Sequence, residues 1–149
     1  MENREPTTGG FIRINEWPTE YAIKAYESKH YVEAIQVIHG FIENKLQELL
    51  ILTGSVDFNK EMEDTWDIAN QIKLNDCAKV LYVIGQINQT EFQNILNFNS
   101  MRNKVIHQLF KEPYDKAIKG VPLNEYDIVY KNGLELCDIL QAKSEDKIN

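Results

Sequence analysis

The sequence predicts an all-α fold, an antiparallel helical bundle of four main helices plus a shorter one. Two patterns carry that expectation. Tyr31, Ala34, Ile35, Ile38, Phe41, Ile42, Leu46, Leu49 and Leu50 recur in steps of three and four, which lays one broad apolar stripe along a helix. Nowhere does the chain alternate apolar and polar residues with the period of two that a half-buried strand requires, and it has no internal repeat. At 149 residues it is one domain's worth, long enough to bury a core without disulfides or metal.

The elements follow in order. Residues 1–15, with Pro6, Thr7, Thr8, Gly9 and Gly10, read as a flexible N-terminal tail. The helical domain is expected over 16–142. Pro18, followed by Thr19-Glu20, suits a first helical turn, because Pro is tolerated at the first position and acids favour the positive helix end. That helix should pass through Tyr21, Ala22 and Tyr26 to near His30. The striped helix of residues 31–53 should end at Thr53-Gly54, with Gly54 as its cap. A polar connector over 54–64 leads to a short helix around Trp66, Ile68 and Ile72. Trp17 and Trp66 read as anchors for the helices they begin. Asp76 can cap a helix carrying Cys77, Ala78, Leu81, Ile84 and Ile87. Thr90-Glu91-Phe92-Gln93 has the form of a capping box, opening a helix to about Phe110 before Pro113. After a Gly120-Val121-Pro122 turn, Leu123 to about Ala142 is the last helix, interrupted at Asn132-Gly133. Residues 143–149 are expected to fray.

Composition narrows function. An apolar content of 43% and a charged content of 26% are ordinary for a soluble globular protein. The net charge of −7 argues against a broad nucleic-acid surface, since such affinity comes largely from neutralising phosphates; any basic site must be local. Gly9-Gly10 has no strand before it and no Gly-Lys-Ser/Thr after it, so a P-loop is excluded. Cys77 and Cys137 match neither a zinc spacing nor a redox pair and read as small buried hydrophobes. No metal and no cofactor is expected. With no bilayer-length apolar run and no signal peptide, the reading is a cytoplasmic protein without a membrane partner.

The informative segment lies on the helix from Thr90. On a wheel of ~100° per residue, Phe92, Ile95, Leu96, Phe98, Ile106, Leu109 and Phe110 share one arc. Asn99, Arg102 and Asn103 fall inside that arc, His107 at its edge, Val105 just outside it, and Met101 on the nominally exposed side. Polar groups on a core-facing stripe need partners, and local rules of this kind usually fail at sites or interfaces. Asn103 and His107, four apart, share a face. Arg102 and His107 are five apart, roughly 140° around an ideal helix, so one helix does not bring them together. Two copies across a two-fold axis can, which predicts a homodimer with both residues at or near its interface.

The run Phe98-Asn99-Ser100-Met101-Arg102-Asn103-Lys104-Val105-Ile106-His107 resembles the motif of the HEPN superfamily, an Arg followed by a polar residue and then a His on the same helix. Tyr31-Val32-Glu33-Ala34-Ile35 and Ile42-Glu43-Asn44-Lys45-Leu46 are similar to the long helix of that family, and the likeness spans most of residues 19–142 in helix order. The resemblance implies a dimeric bundle whose paired motifs line an interfacial cleft. It implies RNA as substrate, cleaved without metal, with the ribose 2′-hydroxyl as internal nucleophile, in a toxin, defence or RNA-maturation role. A cognate antitoxin or nucleotidyltransferase is the partner such proteins suggest. His107 suits proton transfer near neutral pH, and Arg102 can grip a phosphate with two donors. Asn103 and Asn99 are supporting candidates, Asn103 by orienting the His or the phosphate, and Glu43 is another, by pairing with Arg102. Members paired with minimal nucleotidyltransferases often carry a Tyr two residues after the His; here that position is Leu109, with Tyr114 nearby.

Plainer readings stand beside these. Arg102 can hold a carboxylate or helix end, and His107 can sit near a helix C-terminus for its dipole. The module is then a non-catalytic one that binds RNA, nucleotide or a partner protein. His39, on the flank of the long helix, reads as ordinary partial burial. Tyr21, Tyr26 and Tyr31 read as packing rather than a base-stacking platform. Glu61, Glu63 and Asp64 read as a solvated loop.

Overall fold

The computed structural model describes residues 10–109 and 120–149. The described residues form an all-α helical bundle of six helices without strands. They are α1 (Pro18–Glu27), α2 (Tyr31–Leu52), α3 (Met62–Ala69), α4 (Leu74–Val83), α5 (Gln89–Gln108) and α6 (Leu123–Ile148). The expected helix end near Phe110 and Pro113, residues 1–9 of the expected tail, and Tyr114 lie outside the described residues.

The termini of the helices show how the local sequence acts. Pro18 opens α1 at its first turn. Lys29, at φ 66°, closes it: its N–H donates to Tyr26 O (3.0 Å) and that of His30 to Ala25 O (2.8 Å), the pairing of a Schellman cap. The same pairing ends α4 at Gly85, with Gln86 N–H on Leu81 O (2.8 Å). That helix therefore stops before Ile84 and Ile87, earlier than the apolar spacing suggested.

Four expected boundaries shift. Gly54 does not cap α2; the chain continues through a π-helical turn, Thr53–Asp57, with the buried Thr53 hydroxyl donating to Leu49 O (2.7 Å). Asp76 lies within the first turn of α4, whose preceding residue is Lys73. The capping box is built by Asn88 and Glu91 rather than Thr90 and Gln93: Glu91 N–H donates to Asn88 Oδ1 and Asn88 N–H to Glu91 Oε1, both at 2.8 Å. Asn is the better capping residue and a carboxylate the stronger acceptor. The last helix runs unbroken through Asn132-Gly133 to Ile148, where Ser144 is buried, Lys143 pairs with Glu91 (3.0 Å) and Lys147 with Asp57.

The core is made by α2, whose Ala34, Ile35, Ile38, Ile42 and Leu46 are sealed against Val129, Leu136, Cys137 and Leu140 of α6 and against neighbouring helices. Cys77 and Cys137 are buried and unpaired. Helices α1 and α2 pack antiparallel, as do α4 and α5: Tyr26 meets Tyr31 and Trp17 meets Phe41 across the first pair, and Tyr82 stacks on Phe92 across the second. By contrast α2 and α6 run in parallel, since Tyr31 lies near Tyr126 and Ile38 beside Gly133. Tyr26 stacks flat on Tyr130 at 3.8 Å and donates its hydroxyl to Asp127, so the tyrosine series serves packing at Tyr26 and Tyr31. Trp17 does anchor α1, edge-on to Phe41 with the Lys45 ammonium near both rings. Trp66 lies mid-way along α3 rather than at its start and is 55% exposed.

Candidate functional site

Helix α5 sits rotated relative to the arc expected from its wheel. Ile95, Phe98 and Val105 are buried, whereas Phe92 and Ile106 are half-buried and Met101 is drawn partly inward. The cause is Gly133, whose missing side chain lets the Phe98 ring enter between α5 and α6. The rotation moves Asn99 and Asn103 to the edge of the buried face, while Arg102 keeps its place on the wheel between Ile95 and Phe98; all three are half-buried. Helix α5 packs chiefly on α4 and α6; it meets α2 less extensively, at Phe98 and Ile38 around Gly133 and, toward the surface, through polar side chains.

That polar meeting is the candidate site. On α2, Gln36, His39 and Glu43 stand three and four residues apart and so form one stripe. The Arg102 guanidinium reaches across to it, Nη2 donating to Gln36 Oε1 and Nη1 to Asn103 Oδ1 (2.8 Å). Its Nε–H is shielded from solvent and donates to nothing among the described residues. Burial lowers the Arg102 pKa from its ordinary value, opposed by the attraction of Glu43; the group remains a cation at neutral pH.

One turn along, His39 Nε2 lies 3.2 Å from Asn99 Oδ1, and Asn99 Nδ2 donates to Asn75 Oδ1 at 3.1 Å. Three helices thus contribute to one chain of hydrogen bonds. With its amide nitrogen committed to Asn75, Asn99 presents its oxygen to the imidazole. Burial, and then the Arg102 charge, hold the His39 pKa below the usual value, against Glu43 and the Asn99 hydrogen bond. His39, read from the sequence as ordinary partial burial, is half-buried and is also part of the constellation. Its spacing from Gln36 and Glu43 was the signal that could have found it.

Glu43 does not pair with Arg102. Its Oε2 accepts the N–H of Leu74 at 3.1 Å, capping α4 from outside that helix, and it acts on Arg102 and His39 only through its field. His107 is exposed on the last turn of α5 and meets none of these side chains. Arg102 and His107 are not brought together within one chain. Among the described residues, no three His, Cys, Asp or Glu side chains converge to hold a metal ion, and no helix is long and apolar enough to cross a membrane.

A neighbouring groove of about 420 Å³ lies on the opposite flank of α5, between Asn94, Asn97 and Ser100 and residues Asn132 and Glu135 of α6. Chemically, the α2–α5 seam offers an oriented cation with neutral amide partners and an imidazole beside it. That is what an anionic ester with a nearby hydroxyl would need. No family model, no curated protein and no solved structure matches the chain.

Proposed function

We propose that this protein is a HEPN-like endoribonuclease that cleaves RNA without a metal ion. Arg102 holds the scissile phosphodiester, and His107 of a second copy supplies proton transfer across a two-fold interface. The observation that carries this reading is the Arg102 guanidinium, steered by the amide oxygens of Gln36 and Asn103 rather than by a carboxylate. Neutral acceptors fix the direction of the fork while leaving its charge for an anion. The exposure of His107 on the same helix supports delivery from outside the chain, because roughly 140° separates the two residues around an ideal α5. The motif resemblance supports RNA as substrate, and two buried, unpaired thiols are compatible with a reducing cytoplasm.

The test is incubation of purified protein with structured RNAs in EDTA, comparing wild type with His107→Ala and Arg102→Ala. Cleavage by wild type alone, with 2′,3′-cyclic phosphate ends, is the expected result. Equal activity in wild type and His107→Ala would mean a contaminating nuclease. A second reading, a non-catalytic module that binds RNA, nucleotide or a partner such as a nucleotidyltransferase or antitoxin, is favoured by the net charge of −7 and by Leu109 at the position of the family's Tyr. It prevails if no variant cleaves while RNA binding depends on Arg102.

A further inference from the structure

The geometry points to His39 as the general base of this site, acting in the same chain as Arg102, with His107 of the second copy left as the general acid. The inference rests on the ribonuclease reading above and assigns it a second histidine.

The hydrogen-bond chain Asn75–Asn99–His39 decides which imidazole nitrogen is basic. Asn99 donates one Nδ2 proton to Asn75 Oδ1 and so turns its own Oδ1 to His39, which it meets at 3.2 Å. An oxygen can only accept, so Nε2 of His39 carries the proton and Nδ1 keeps the lone pair. The ring is thereby held in one tautomer and one orientation, as a positioned base requires. His39 is half-buried, reachable from the solvent edge of the seam rather than sealed in the core.

Two histidines in two environments suit the two proton transfers of this chemistry. The charges acting on His39 are Arg102 on α5, which opposes protonation, and Glu43 on its own helix, which favours it; α4 presents the neutral Asn75. Together with burial, the balance keeps His39 in its neutral, proton-accepting form. The exposed His107 lies outside that seam. In the forward step, Nδ1 of His39 takes the ribose 2′-hydroxyl proton as the 2′-oxygen bonds to phosphorus. Arg102 balances the charge gathering on the non-bridging oxygens. The bond from phosphorus to the 5′-oxygen breaks, and the imidazolium of His107 protonates that leaving oxygen. The products are a 2′,3′-cyclic phosphate and a free 5′-hydroxyl, with no other reactant consumed.

The experiment separates base from acid by the leaving group. An RNA carrying sulfur in place of the bridging 5′-oxygen at the mapped cleavage position leaves readily without protonation, so it relieves the loss of an acid but not of a base. His39→Gln, whose amide can still donate to Asn99, and His39→Ala are compared with His107→Ala on both RNAs, with folding checked by circular dichroism. Both His39 variants should be slowed about a hundredfold to ten-thousandfold on the natural and the sulfur-containing RNA alike. His107→Ala should be slow on the natural RNA and largely restored on the other. A folded His39→Gln within a few-fold of wild type overturns the assignment, and so does its restoration by sulfur. Failure of wild type to cleave either RNA instead removes the ribonuclease reading itself.

Discussion

Gly133 of α6 faces Phe98 of α5 so closely that a Cβ there would lie 2.7 Å from Phe98 Cε2 and 2.6 Å from Ile38 Cγ2. The glycine sits mid-helix because three helices converge on it, not because the helix ends. Gly133→Ala should gain roughly 0.5–1 kcal/mol in helix propensity. Against that stands the ~1–3 kcal/mol of overpacking, since Phe98 and Ile38 are fully enclosed and have nowhere to move. We expect a net loss of stability in urea unfolding. A stabilised variant would mean that α5 and α6 are not held this closely.

The capping box makes a sharper comparison. Asn88→Ala should cost about 0.5–2 kcal/mol, because the Glu91 N–H at the start of α5 loses its acceptor. Thr90→Ala should be close to neutral, since Thr90 caps nothing. If urea midpoints reverse that order, α5 begins two residues later.

Cys77 and Cys137 are both pushed up to about 12 from an ordinary 9.0, by burial first and then by Glu43 and Asp138 respectively. A thiol whose folded pKa is raised contributes its stability fully below the unfolded value and loses it as pH climbs through the folded one. Resistance to urea should therefore fall between pH 9.0 and about 12, a trend to which the half-buried Tyr26, whose pKa is also raised, adds. At about pH 8 a thiol reagent should label neither cysteine until the chain is unfolded. Fast labelling of the native protein would contradict the burial of both.

The long helices and the α2 half of the core were legible in the sequence because their apolar spacing is strong: Ile35, Ile38, Ile42, Leu46 and Ile95 are all sealed. What the spacing could not show was the rotation of α5. A wheel averages over the hydrophobic residues of one helix, whereas the rotation is decided by a hole on another, at Gly133. For the same reason Val105 is buried and Ile106 only half so. Arg102 and Asn99 stood out in the sequence as polar residues in an apolar stripe. Their partners Gln36, His39 and Asn75 did not, because each is unremarkable on its own helix and acquires a role only when α2, α4 and α5 meet.

A site shared between two copies can be rebuilt from two different inactive chains. If Arg102 and His39 act in one copy while His107 comes from the other, two inactive variants should complement each other. In a dimer of one Arg102→Ala chain and one His107→Ala chain, one site keeps Arg102, His39 and His107, and the other has lost both altered groups. After subunits have exchanged freely, half the dimers are mixed and each has one intact site of two. The mixture should therefore recover about a quarter of wild-type cleavage, from components that are each nearly inactive. Arg102→Ala loses the fork that Gln36 and Asn103 now orient, while Asn99 still holds His39, so the altered chain remains able to donate its exposed His107. Recovery should grow with the time allowed for exchange and should be absent if the chains are crosslinked as separate homodimers before mixing. Light scattering gives the oligomeric state on the same samples. A dimer that shows no complementation would place every catalytic group in one chain, and a monomer that cleaves RNA would remove the shared site altogether.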